Sequence, residues 1–472
     1  MPGQRLHIRQ RYYLPERFRD LQPDRVPIRE ADPHTRTASD AEVLGAFDPL
    51  EAIAEAQRCL YCHEAPCLAA CPIGQDCREY ILELSRGNFE AAKAIVTRDN
   101  PFASSLSRVC FHYCEAACTV GVRGQPVAVR HLKRAALDFG GRDAPYVRGP
   151  PRGHSVGIVG GGPAGLLAAW HLAQRGFDVV VYEASAQLGG LVTMTIPTYR
   201  LPRSVFQEDI HRMRDLGIEF RFGVRLGDGV TVDSLRAEHD AVLLAIGTHI
   251  PQVPRLPGRE LPGVHDAIGF LKGIFVEART AVGARVAVIG GGDVAMDCAR
   301  MALRRGAKEV ALVYRRSREE MPASEEEARE CEDEGVEFLF LTAPLRVVGT
   351  ERAEGLECQK MSLGPPDAGG RRKPIPVEGT NFVRAFDTIV LATGQGADLA
   401  GLEGLGAAAD PEGVLVGLDG GPRTRLEDVF VAGGTSVVAA MRAGREAATE
   451  IERYLEQDEE RQDAEAASPA KT

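Results

Sequence analysis

Most of the cysteines of this chain lie in one stretch near its N-terminus. The first group has the spacing C-x2-C-x4-C-x3-C-P, and the second group has the spacing C-x3-C-x3-C. Thiolates this close together bind zinc, bind iron–sulfur clusters or are oxidised to disulfides. Of the chain's 11 cysteines, those in this stretch are Cys59, Cys62, Cys67, Cys71, Cys77, Cys110, Cys114 and Cys118.

The expected cellular compartment helps to choose among these chemistries. The N-terminal stretch MPGQRLHIRQRYYLPERF is polar and lacks the apolar core of a signal peptide, so we expect a cytoplasmic protein. Disulfides are rare in the reducing cytoplasm, which makes them the weakest of the three interpretations. Zinc stays open because C-x2-C is also a zinc spacing, whereas C-x3-C-P is typical of two-cluster ferredoxins.

Downstream of the cysteines, a strand-to-helix junction carries the glycine pattern of a dinucleotide-binding site. In SVGIVGGGPAGLLAAWHLAQRGFDVVVYE, the pattern Gly160-x-Gly162-x-x-Gly165 follows an apolar strand, and a second strand ends on Glu183. The glycines permit a tight turn and bring the backbone close to a pyrophosphate at the helix N-terminus. Glu183 is placed to accept a hydrogen bond from a ribose 2′-hydroxyl, which favours FAD at this site.

The same pattern recurs later in the chain with one informative difference. In RVAVIGGGDVAMDCARMALRRGAKEVALVYRR, Gly290-x-Gly292-x-x-Ala295 occupies the strand-to-helix junction, and the second strand ends on Arg315 and Arg316 instead of an acid. Guanidinium groups pair with phosphate, so these arginines favour the 2′-phosphate of NADPH. The alternative is that both arginines are solvated at a strand end.

A nicotinamide site beside a flavin site indicates hydride transfer, and flavin converts two-electron chemistry into one-electron chemistry. Such a flavin needs an outlet for its electrons. Cys298, Cys331 and Cys358 are isolated from one another, so the close cysteine pair of a disulfide reductase is absent. The upstream cysteines are the candidate outlet, which favours iron–sulfur clusters over zinc.

The elements that position these sites follow from capping and hydrophobic patterns. Asp48 predicts the start of a helix that leads to the first cysteines, and Gly87-Asn88 separates two short helices. Apolar strands at 239–248 and 386–394 bracket the second glycine pattern, so we expect one nucleotide-binding domain to be inserted into the other. We predict an α/β fold with two Rossmann-like dinucleotide-binding domains (FAD and NADPH), preceded by a small α-helical domain that holds two iron–sulfur clusters.

The chain of 472 residues is long enough for several domains. Residues 1–40 are interpreted as an arm that packs over a neighbouring domain, with a docking segment for a partner as the alternative. The predicted boundaries are the arm at 1–40, a helical [4Fe–4S]-binding domain at 41–145, an FAD-binding domain at 151–280 and 391–455, an NAD(P)H-binding domain at 281–390 and a disordered tail at 456–472.

Composition excludes two classes of partner. The formal net charge of −11 argues against nucleic acid. The sequence has no apolar run of the roughly 18 residues that a membrane helix needs, so no membrane span is expected.

Longer motifs resemble those of one oxidoreductase family. They are AQRCLYCHEAPCLAACP, RVCFHYCEAACTVG, IVGGGPAGL, IPTYRLPRSV, VAVIGGGDVAMDCA, VYRRSREEMPA and AGREAA. The chain resembles the glutamate synthase small-subunit (beta) family, which is similar to the N-terminal part of dihydropyrimidine dehydrogenase. The resemblance implies an electron-transfer subunit with FAD, NADPH (or NADH) and two [4Fe–4S] clusters, which exchanges electrons with a larger oxidoreductase subunit or a ferredoxin.

The resemblance also implies roles for individual residues. It places Cys59, Cys62, Cys67 and Cys118 at one cluster, and Cys71, Cys110 and Cys114 at the other. Arg200 in IPTYRLP matches a flavin contact, and Gly394 lies in a segment near the nicotinamide nucleotide. The candidate cofactor-binding residues are Gly160, Gly162, Gly165, Glu183, Gly190, Arg200, Gly290, Gly292, Asp293, Arg315, Arg316, Gly394 and Gly433.

The sequence departs from the family pattern near the second cluster and near the flavin. The family has a longer first spacing in the second cysteine group, and its fourth ligand there is a Glu or Gln where this chain has Lys133. Cys77 and His131 are alternative ligands. The late flavin-binding Gly-Asp of the family is Gly433-Gly434 here, and the loop after it is shorter.

These departures favour a relative that serves a complex other than glutamate synthase. The alternatives are an NAD(P)-reducing subunit of a 2-oxoacid oxidoreductase, a stand-alone NAD(P)H:acceptor reductase, and a non-catalytic scaffold that has lost its cofactors.

Overall fold

The structure of the chain is a computed structural model that describes residues 22–277, 280–366 and 370–467. Its N-terminal part is a helical module. The module's helices, in chain order, are α1 (Pro33–Arg36), α2 (Pro49–Ala56), α3 (Pro66–Ala70), α4 (Cys77–Ser85), α5 (Phe89–Asp99), α6 (Ala103–Val109), α7 (Tyr113–Ala116) and α8 (Val129–Phe139).

Capping side chains begin the helices where the sequence predicts them. The Asp48 carboxylate accepts hydrogen bonds from the amides of Leu50 and Glu51 at 2.9 Å, and the Glu51 carboxylate accepts one from the Asp48 amide at 2.8 Å. This reciprocal capping box satisfies amides that the first helical turn leaves without partners. Asn88 caps α5 by accepting a hydrogen bond from the Ala91 amide at 3.4 Å, so the helices on either side of Gly87-Asn88 are confirmed.

The remainder of the chain alternates strands and helices. Its helices are α9 (Pro163–Gln174), α10 (Leu191–Met194), α11 (Arg203–His211), α12 (Val232–Glu238), α13 (Ala267–Phe275), α14 (Asp293–Arg304), α15 (Glu325–Asp333) and α16 (Val437–Ala467). Its strands are β1 (Ser155–Val159), β2 (Asp178–Glu183), β3 (Glu219–Phe222), β4 (Arg225–Leu226), β5 (Gly229–Val230), β6 (Ala241–Leu244), β7 (Ile250–Pro251), β8 (Val264–Asp266), β9 (Arg285–Ile289), β10 (Glu309–Val313), β11 (Glu337–Leu339), β12 (Thr342–Val348), β13 (Gly355–Pro366), β14 (Arg372–Pro376), β15 (Phe382–Ala385), β16 (Thr388–Leu391), β17 (Gln395–Gly396), β18 (Ala408–Ala409), β19 (Leu415–Val416) and β20 (Val429–Val431).

Two five-stranded parallel sheets form the centre of this part. The first has the order β20-β6-β1-β2-β3, and the second has the order β11-β10-β9-β16-β8. The strands of the second sheet lie in the chain between β6 and β20 of the first, so one unit is inserted into the other. The predicted α/β class with two Rossmann-like units and a preceding helical module is confirmed.

The strand pairing differs from the predicted boundary at residue 280. Strand β8 pairs in parallel with β16, with Val264 opposite Ile389. It therefore belongs to the second sheet, although the prediction placed it with the first. The strand is only three residues long and contains His265 and Asp266, so it has no apolar pattern that would indicate which sheet it joins.

A smaller antiparallel sheet extends the second unit. Strands β12, β13 and β14 pair in that order, and β15 pairs with β13. The connections between the two large units run side by side, because β7 and β17 pair with Gln395 opposite Pro251. This pairing fixes how the chain leaves the first unit and returns to it.

The C-terminal helix α16 packs along α9. A Cβ at Gly444 would come within 2.1 Å of the Ala164 carbonyl oxygen, so the two helices approach as closely as glycine allows. The helix continues to Ala467, whereas a disordered tail is predicted from 456. The segment EQDEERQDAEAA is rich in Glu, Gln and Ala, whose helix propensity extends α16 beyond its packed part. Residues 468–472 of the predicted tail lie outside the described residues.

The described part of the N-terminal arm, residues 22–40, packs first on the helical module, where the Val26 amide donates to Glu55 at 2.8 Å, and then on the second unit. The buried Arg36 forms an ion pair with Glu334 at 2.7 Å and donates to the Glu330 carbonyl oxygen at 3.2 Å. Arg305 and Asp40 form a second ion pair at 2.7 Å. Residues 1–21 of the predicted arm lie outside the described residues.

Within the described ranges, no helix combines the length and the apolar character needed to cross a membrane.

Leu243 offers a test of the first sheet's core. The side chain is fully buried on β6, between Ile158 of β1 and Phe430 of β20. We expect Leu243→Ala to lower the free energy of unfolding by about 2–5 kcal/mol, because it removes buried contacts and leaves a cavity. Denaturant unfolding measures this loss, with Val383→Ala, at a site 58% exposed, as the control. Equal losses for both variants would contradict the assigned core.

Candidate functional site

One large cavity lies at the carboxyl ends of both parallel sheets. Its volume is about 1680 Å³, and its walls include the ends of β1 and β9 together with the turns that follow them. Crevices at the carboxyl ends of parallel strands are where open α/β sheets bind their ligands. The predicted cofactor-binding residues on its walls are Gly160, Gly162, Glu183, Gly190, Arg200, Gly290, Gly292, Asp293, Arg315, Arg316, Gly394 and Gly433.

The first glycine turn has the geometry that a bound pyrophosphate requires. Gly160 has φ +109°, a conformation that L side chains rarely adopt. A Cβ at Gly165 would lie 2.0 Å from the Gly160 carbonyl oxygen, so this glycine lets α9 pack against the turn and does not line the cavity. A Cβ at Gly162 would meet no atom within 4 Å, so the backbone there borders open space and fits a nucleotide.

Glu183 lies beside this turn and is 7% exposed. One carboxylate oxygen accepts from the Gly161 amide at 2.8 Å, and the other accepts from the Ser185 amide at 2.7 Å. Each oxygen keeps a second lone pair that can accept from a ribose hydroxyl. The structure therefore gives Glu183 a role in holding the glycine turn, beside the ribose contact that the sequence predicts.

The second glycine turn repeats this arrangement. Gly290 has φ +149°, and a Cβ there would lie 2.1 Å from the Ala392 carbonyl oxygen. Asp293 begins α14 and accepts a hydrogen bond from the Ser324 amide at 3.0 Å. Burial raises the pKa of Asp293. A Cβ at Gly292 would approach only the Pro322 ring, at 4.0 Å, so this turn also borders open space.

The two arginines at the end of β10 differ in their surroundings. Arg315 is exposed and lines the cavity. Arg316 is 7% exposed, and its Nε donates to the Arg372 carbonyl oxygen at 2.8 Å. The sequence predicts that both neighbours bind the phosphate. In the structure, one nitrogen of the Arg316 guanidinium is already bonded to the antiparallel sheet.

Arg200 binds two carboxylates of the second unit, although the sequence predicts a flavin contact. One terminal nitrogen lies 2.9 Å from both oxygens of Asp297 on α14, and the other lies 2.9 Å from Glu327 on α15. Burial raises the pKa of Asp297 to about 6, and the Arg200 charge opposes that rise. Arg200 lines the cavity, but its charge is used to join the two units.

The cysteines fall into the two groups that the resemblance implies. The thiol of Cys59 has Cys62, Cys67 and Cys118 as its electrostatic neighbours, and burial raises its pKa to about 12. Cys110 has Cys71 and Cys114 as neighbours. The chain thus brings Cys118 back to the first group and Cys71 forward to the second.

The second cysteine group lies beside the cavity. Its members Cys71 and Cys110 pack against the hydrophobic core of the first sheet, whereas Cys114 packs, like Cys59 and Cys118, on the module's own core. Phe111 and Tyr113, on either side of His112 between Cys110 and Cys114, line the cavity. Sequence reasoning missed these two aromatic residues, and no signal in the chain marks them except their place beside the cysteines.

The three candidates for an eighth ligand occupy different places. Lys133 is buried, and its charge acts on Cys110. Cys77 is buried between the groups, where its thiol contacts Cys67 and Cys114. His131 faces Phe47, with ring centroids 5.6 Å apart, and its Nδ1 has no hydrogen-bond partner. Of the three, Lys133 lies beside the second group, Cys77 joins both groups, and His131 faces Phe47.

The described cysteines are not arranged as a site for a single metal ion. Across the described residues, no three His, Cys, Asp or Glu side chains converge closely enough to hold one metal ion. Zinc needs its four ligands about 2.3 Å or less from one point, whereas a four-iron cluster spreads its cysteines around a larger body. All the cysteines are free thiols, so no disulfide competes for them.

Comparison with known proteins identifies two family models in the chain. The pyridine nucleotide-disulphide oxidoreductase model matches residues 154–452. The model of dihydropyrimidine dehydrogenase domain II, 4Fe-4S cluster, matches residues 36–143. The matched ranges correspond to the two parallel-sheet units and to the helical module.

Curated relatives match most of the chain. It is 38% identical over 438 residues to the NADP(+)-dependent formate dehydrogenase subunit beta of Moorella thermoacetica, covering 83% of this chain and 60% of that protein. It is 34% identical over 460 residues to the glutamate synthase [NADPH] small chain of Halomonas elongata, covering 92% and 96%. The chain therefore spans less than two thirds of the formate dehydrogenase subunit and nearly all of the glutamate synthase subunit.

Among solved structures, FprA of Mycobacterium tuberculosis in complex with NADPH has a similar fold. The TM-score is 0.57 at 20% sequence identity, and the match covers 66% of this chain and 86% of that chain. This similarity supports the arrangement of the two parallel-sheet units.

Replacement of Arg200 tests its role between the units. We expect Arg200→Ala to lower the free energy of unfolding by about 3–5 kcal/mol, because it leaves the buried Asp297 without its ion-pair partner, whereas Glu327 keeps its ion pair with Arg300. The loss should appear equally in protein stripped of flavin, since the ion pairs need no ligand. Thermal unfolding with and without flavin measures it, and Arg285→Ala, which breaks a half-exposed ion pair with Asp387, is the control. A loss confined to flavin-loaded protein would contradict this role.

Proposed function

Because this chain belongs to the pyridine nucleotide-disulphide oxidoreductase family, we propose that it transfers electrons between NAD(P)H and a partner protein through its cysteine module. The resemblance to the glutamate synthase small-subunit family is confirmed. The chain is an NAD(P)H-dependent FAD oxidoreductase that carries iron–sulfur clusters. FAD accepts a hydride from NAD(P)H and releases single electrons, and a [4Fe–4S] cluster carries one electron at a time.

One observation carries the proposal: the second cysteine group borders the cavity that both glycine turns line. Phe111 and Tyr113 form part of the cavity wall and come from the loop between Cys110 and Cys114. We propose that Gly160, Gly162 and Glu183 hold FAD at the first turn and that Gly290, Gly292 and Asp293 hold the nicotinamide nucleotide at the second. Gly190, Arg200 and Gly433 would border the flavin, and Gly394 would border the nucleotide.

The grouping of the cysteines supports the ligand sets that the resemblance implies. We propose that Cys59, Cys62, Cys67 and Cys118 hold the outer cluster, and that Cys71, Cys110 and Cys114 hold the inner one. The inner cluster would lie nearer the flavin because Cys71 and Cys110 pack against the first sheet's core. Lys133 borders the inner group, and an ammonium cannot donate a lone pair to iron. Of the other two candidates, Cys77 contacts the Cys114 thiol whereas His131 faces Phe47, so we propose Cys77 as the fourth inner ligand.

Buried contacts hold the module against the flavin unit. The Asp209 carboxylate on α11 accepts from the Ser105 amide at 2.8 Å and from the Ser105 hydroxyl at 2.7 Å. Arg445 on α16 donates to the carbonyl oxygens of Ile73 and Asp99. These bonds fix the cysteines relative to the cavity, so that electron transfer needs no domain movement.

The three cysteines outside the helical module offer no alternative route by which electrons could leave the chain. Cys298, Cys331 and Cys358 are buried and unpaired among the described residues, so they offer no redox disulfide. We propose that the partner docks at the helical module and is a larger oxidoreductase subunit or a ferredoxin, in the cytoplasm. An NAD(P)-reducing role in a 2-oxoacid oxidoreductase complex is the alternative. Co-purification from the native cell identifies the partner.

Metal analysis after anaerobic purification tests the ligand sets. We expect about eight irons per chain, and we expect Cys59→Ala and Cys110→Ala each to lose about half of them, because each variant removes a ligand from one cluster. Cys110→Ala should keep NADPH reduction of the flavin but lose electron transfer to an external one-electron acceptor. Cys331→Ala is the matched control, since this buried cysteine lies outside the module. A colourless protein that holds zinc would contradict the proposal.

The nucleotide preference is tested at Arg315. We expect Arg315→Ala to raise the KM for NADPH about tenfold and to leave the KM for NADH nearly unchanged, because only NADPH has a 2′-phosphate. Anaerobic flavin reduction measures both constants. Arg346→Ala, which breaks an exposed ion pair with Glu357 away from the cavity, is the control. Equal effects on both nucleotides would argue against phosphate binding by Arg315.

A further inference from the structure

We propose that Glu326, on α15 of the second unit, is a positioning residue for the loop of residues 110–114 at the cavity wall. This segment between two inner cysteines is called the inner loop below. Glu326 anchors it from outside the cysteine module, through His112 and Arg130. The inference rests on the proposed electron transfer and deepens it, because it names a contact that fixes the place of the inner cysteines.

The inner loop has a backbone conformation that costs energy. His112 has φ +40° and ψ +48°, which is the left-handed region that is unfavourable for residues with a Cβ. Both neighbours of His112, Phe111 and Tyr113, line the cavity, and their ring centres lie 6.5 Å apart. A strained conformation of this kind persists only where the surrounding structure holds it.

The Glu326 carboxylate supplies contacts that can hold this conformation. The Nε2 atom of His112 lies 3.4 Å from one carboxylate oxygen, and Nη2 of Arg130 donates to the other at 2.7 Å. Arg130 is buried and also donates to the Cys110 carbonyl oxygen at 3.4 Å. One carboxylate therefore holds the inner loop at its middle and, through Arg130, at its start.

The charges around His112 support this role for Glu326. Burial opposes its charge, but the hydrogen bond with His112 and the charge of Arg130 keep the pKa of Glu326 below its usual value. A second acid, Glu115, lies 3.9 Å from Nδ1 of His112 and accepts from the Arg130 amide at 2.9 Å. Glu115 belongs to the module itself, whereas Glu326 ties the inner loop to a different unit.

The anchor is in turn fixed to the second glycine turn. The Ala323 amide donates to the Gly291 carbonyl oxygen at 3.0 Å, and the Ser324 amide donates to the Asp293 carboxylate at 3.0 Å. Glu326 follows these residues in the first turn of α15. A short stretch of chain therefore joins the proposed nucleotide site to the inner loop.

This anchor matters for the passage of electrons. The contacts around metal ligands fix the geometry of the ligands, and solvent exposure and hydrogen bonds set the potential of an iron–sulfur cluster. The flavin, reduced by two electrons from NAD(P)H, would pass one of them to the inner cluster. Without the anchor, the strained turn at His112 would relax and displace Phe111 and Tyr113. We therefore expect slower passage of electrons to the cluster, with reduction of the flavin unchanged.

The test compares Glu326→Ala with Glu326→Gln in the holoprotein. The Gln side chain has nearly the same shape and keeps an oxygen that accepts from Arg130, but it lacks the charge. Glu332→Gln is the control, because Glu332 is an exposed acid of the same helix that pairs with Arg318 of the same unit.

Two measurements separate the loop from the reaction. Amide hydrogen exchange reports on the loop, since the amides of Glu115 and Ala116 donate to the His112 carbonyl oxygen at 2.8 and 3.4 Å. After anaerobic mixing with NADPH, visible absorption follows reduction of the flavin, and rapid-freeze electron paramagnetic resonance follows reduction of the inner cluster.

We expect Glu326→Ala to speed exchange of these amides about tenfold, because the strained turn loses its anchor. Reduction of the inner cluster should slow about tenfold, with the rate of flavin reduction unchanged. Glu326→Gln should keep most of both properties, and Glu332→Gln should match the wild type.

The His112 position gives a second, independent comparison. Glycine adopts the left-handed conformation without strain, so His112→Gly should keep the path of the inner loop. Adding Glu326→Ala to His112→Gly should cost less than Glu326→Ala costs in the wild type, because the glycine turn needs no anchor.

Several results would overturn the inference. They are unchanged hydrogen exchange and cluster reduction in Glu326→Ala, equal losses in Glu326→Ala and Glu326→Gln, which would assign the effect to charge, and an equal loss of flavin reduction, which would indicate a general structural defect. A wild-type protein without iron would instead overturn the proposed function, and hydrogen exchange would still decide whether Glu326 holds the inner loop.

Discussion

The buried ion pairs of Arg200 are the interaction on which the arrangement of the site depends. They join the loop before α11 in the first unit to α14 and α15 in the second. Buried ion pairs contribute little net stability, because desolvation offsets their attraction, but breaking one is costly. We expect their main effect to be on orientation, because they join the two units beside the cavity that the carboxyl ends of both sheets line.

The same region connects the N-terminal arm to the nucleotide unit. Tyr199 precedes Arg200 and lies under the guanidinium groups of Arg300 and Arg304, 4.4 and 4.0 Å from its ring centre. Its carbonyl oxygen accepts from the Val43 amide at 3.0 Å. The chain that leads into the cysteine module is therefore anchored on the second unit, while Asp209 and Arg445 anchor the module on the first. The module bridges both units, which places its inner cysteines against the cavity.

The sequence predicted the parts of the site that depend on local backbone geometry. The turns after the first strand of each unit need a positive φ and a close approach of the following helix, and glycine permits both. The glycine spacing therefore identified Gly160 and Gly290 from the sequence alone. Side chains that act over long sequence distances were not found in this way. For Arg200, the resemblance implied a flavin contact, and the ion pairs with Asp297 and Glu327 appeared only in the structure.

The sequence by itself determined the fold class and the two nucleotide turns, since capping residues, glycine spacing and apolar strands act within a few residues of one another. Only the tertiary structure decided that Cys71 and Cys110 lie on the side of the flavin unit and that Phe111 and Tyr113 reach the cavity. It also decided which of two adjacent arginines, Arg315 and Arg316, is exposed. These outcomes depend on how separate units pack, and packing across units leaves no periodic signal in the chain.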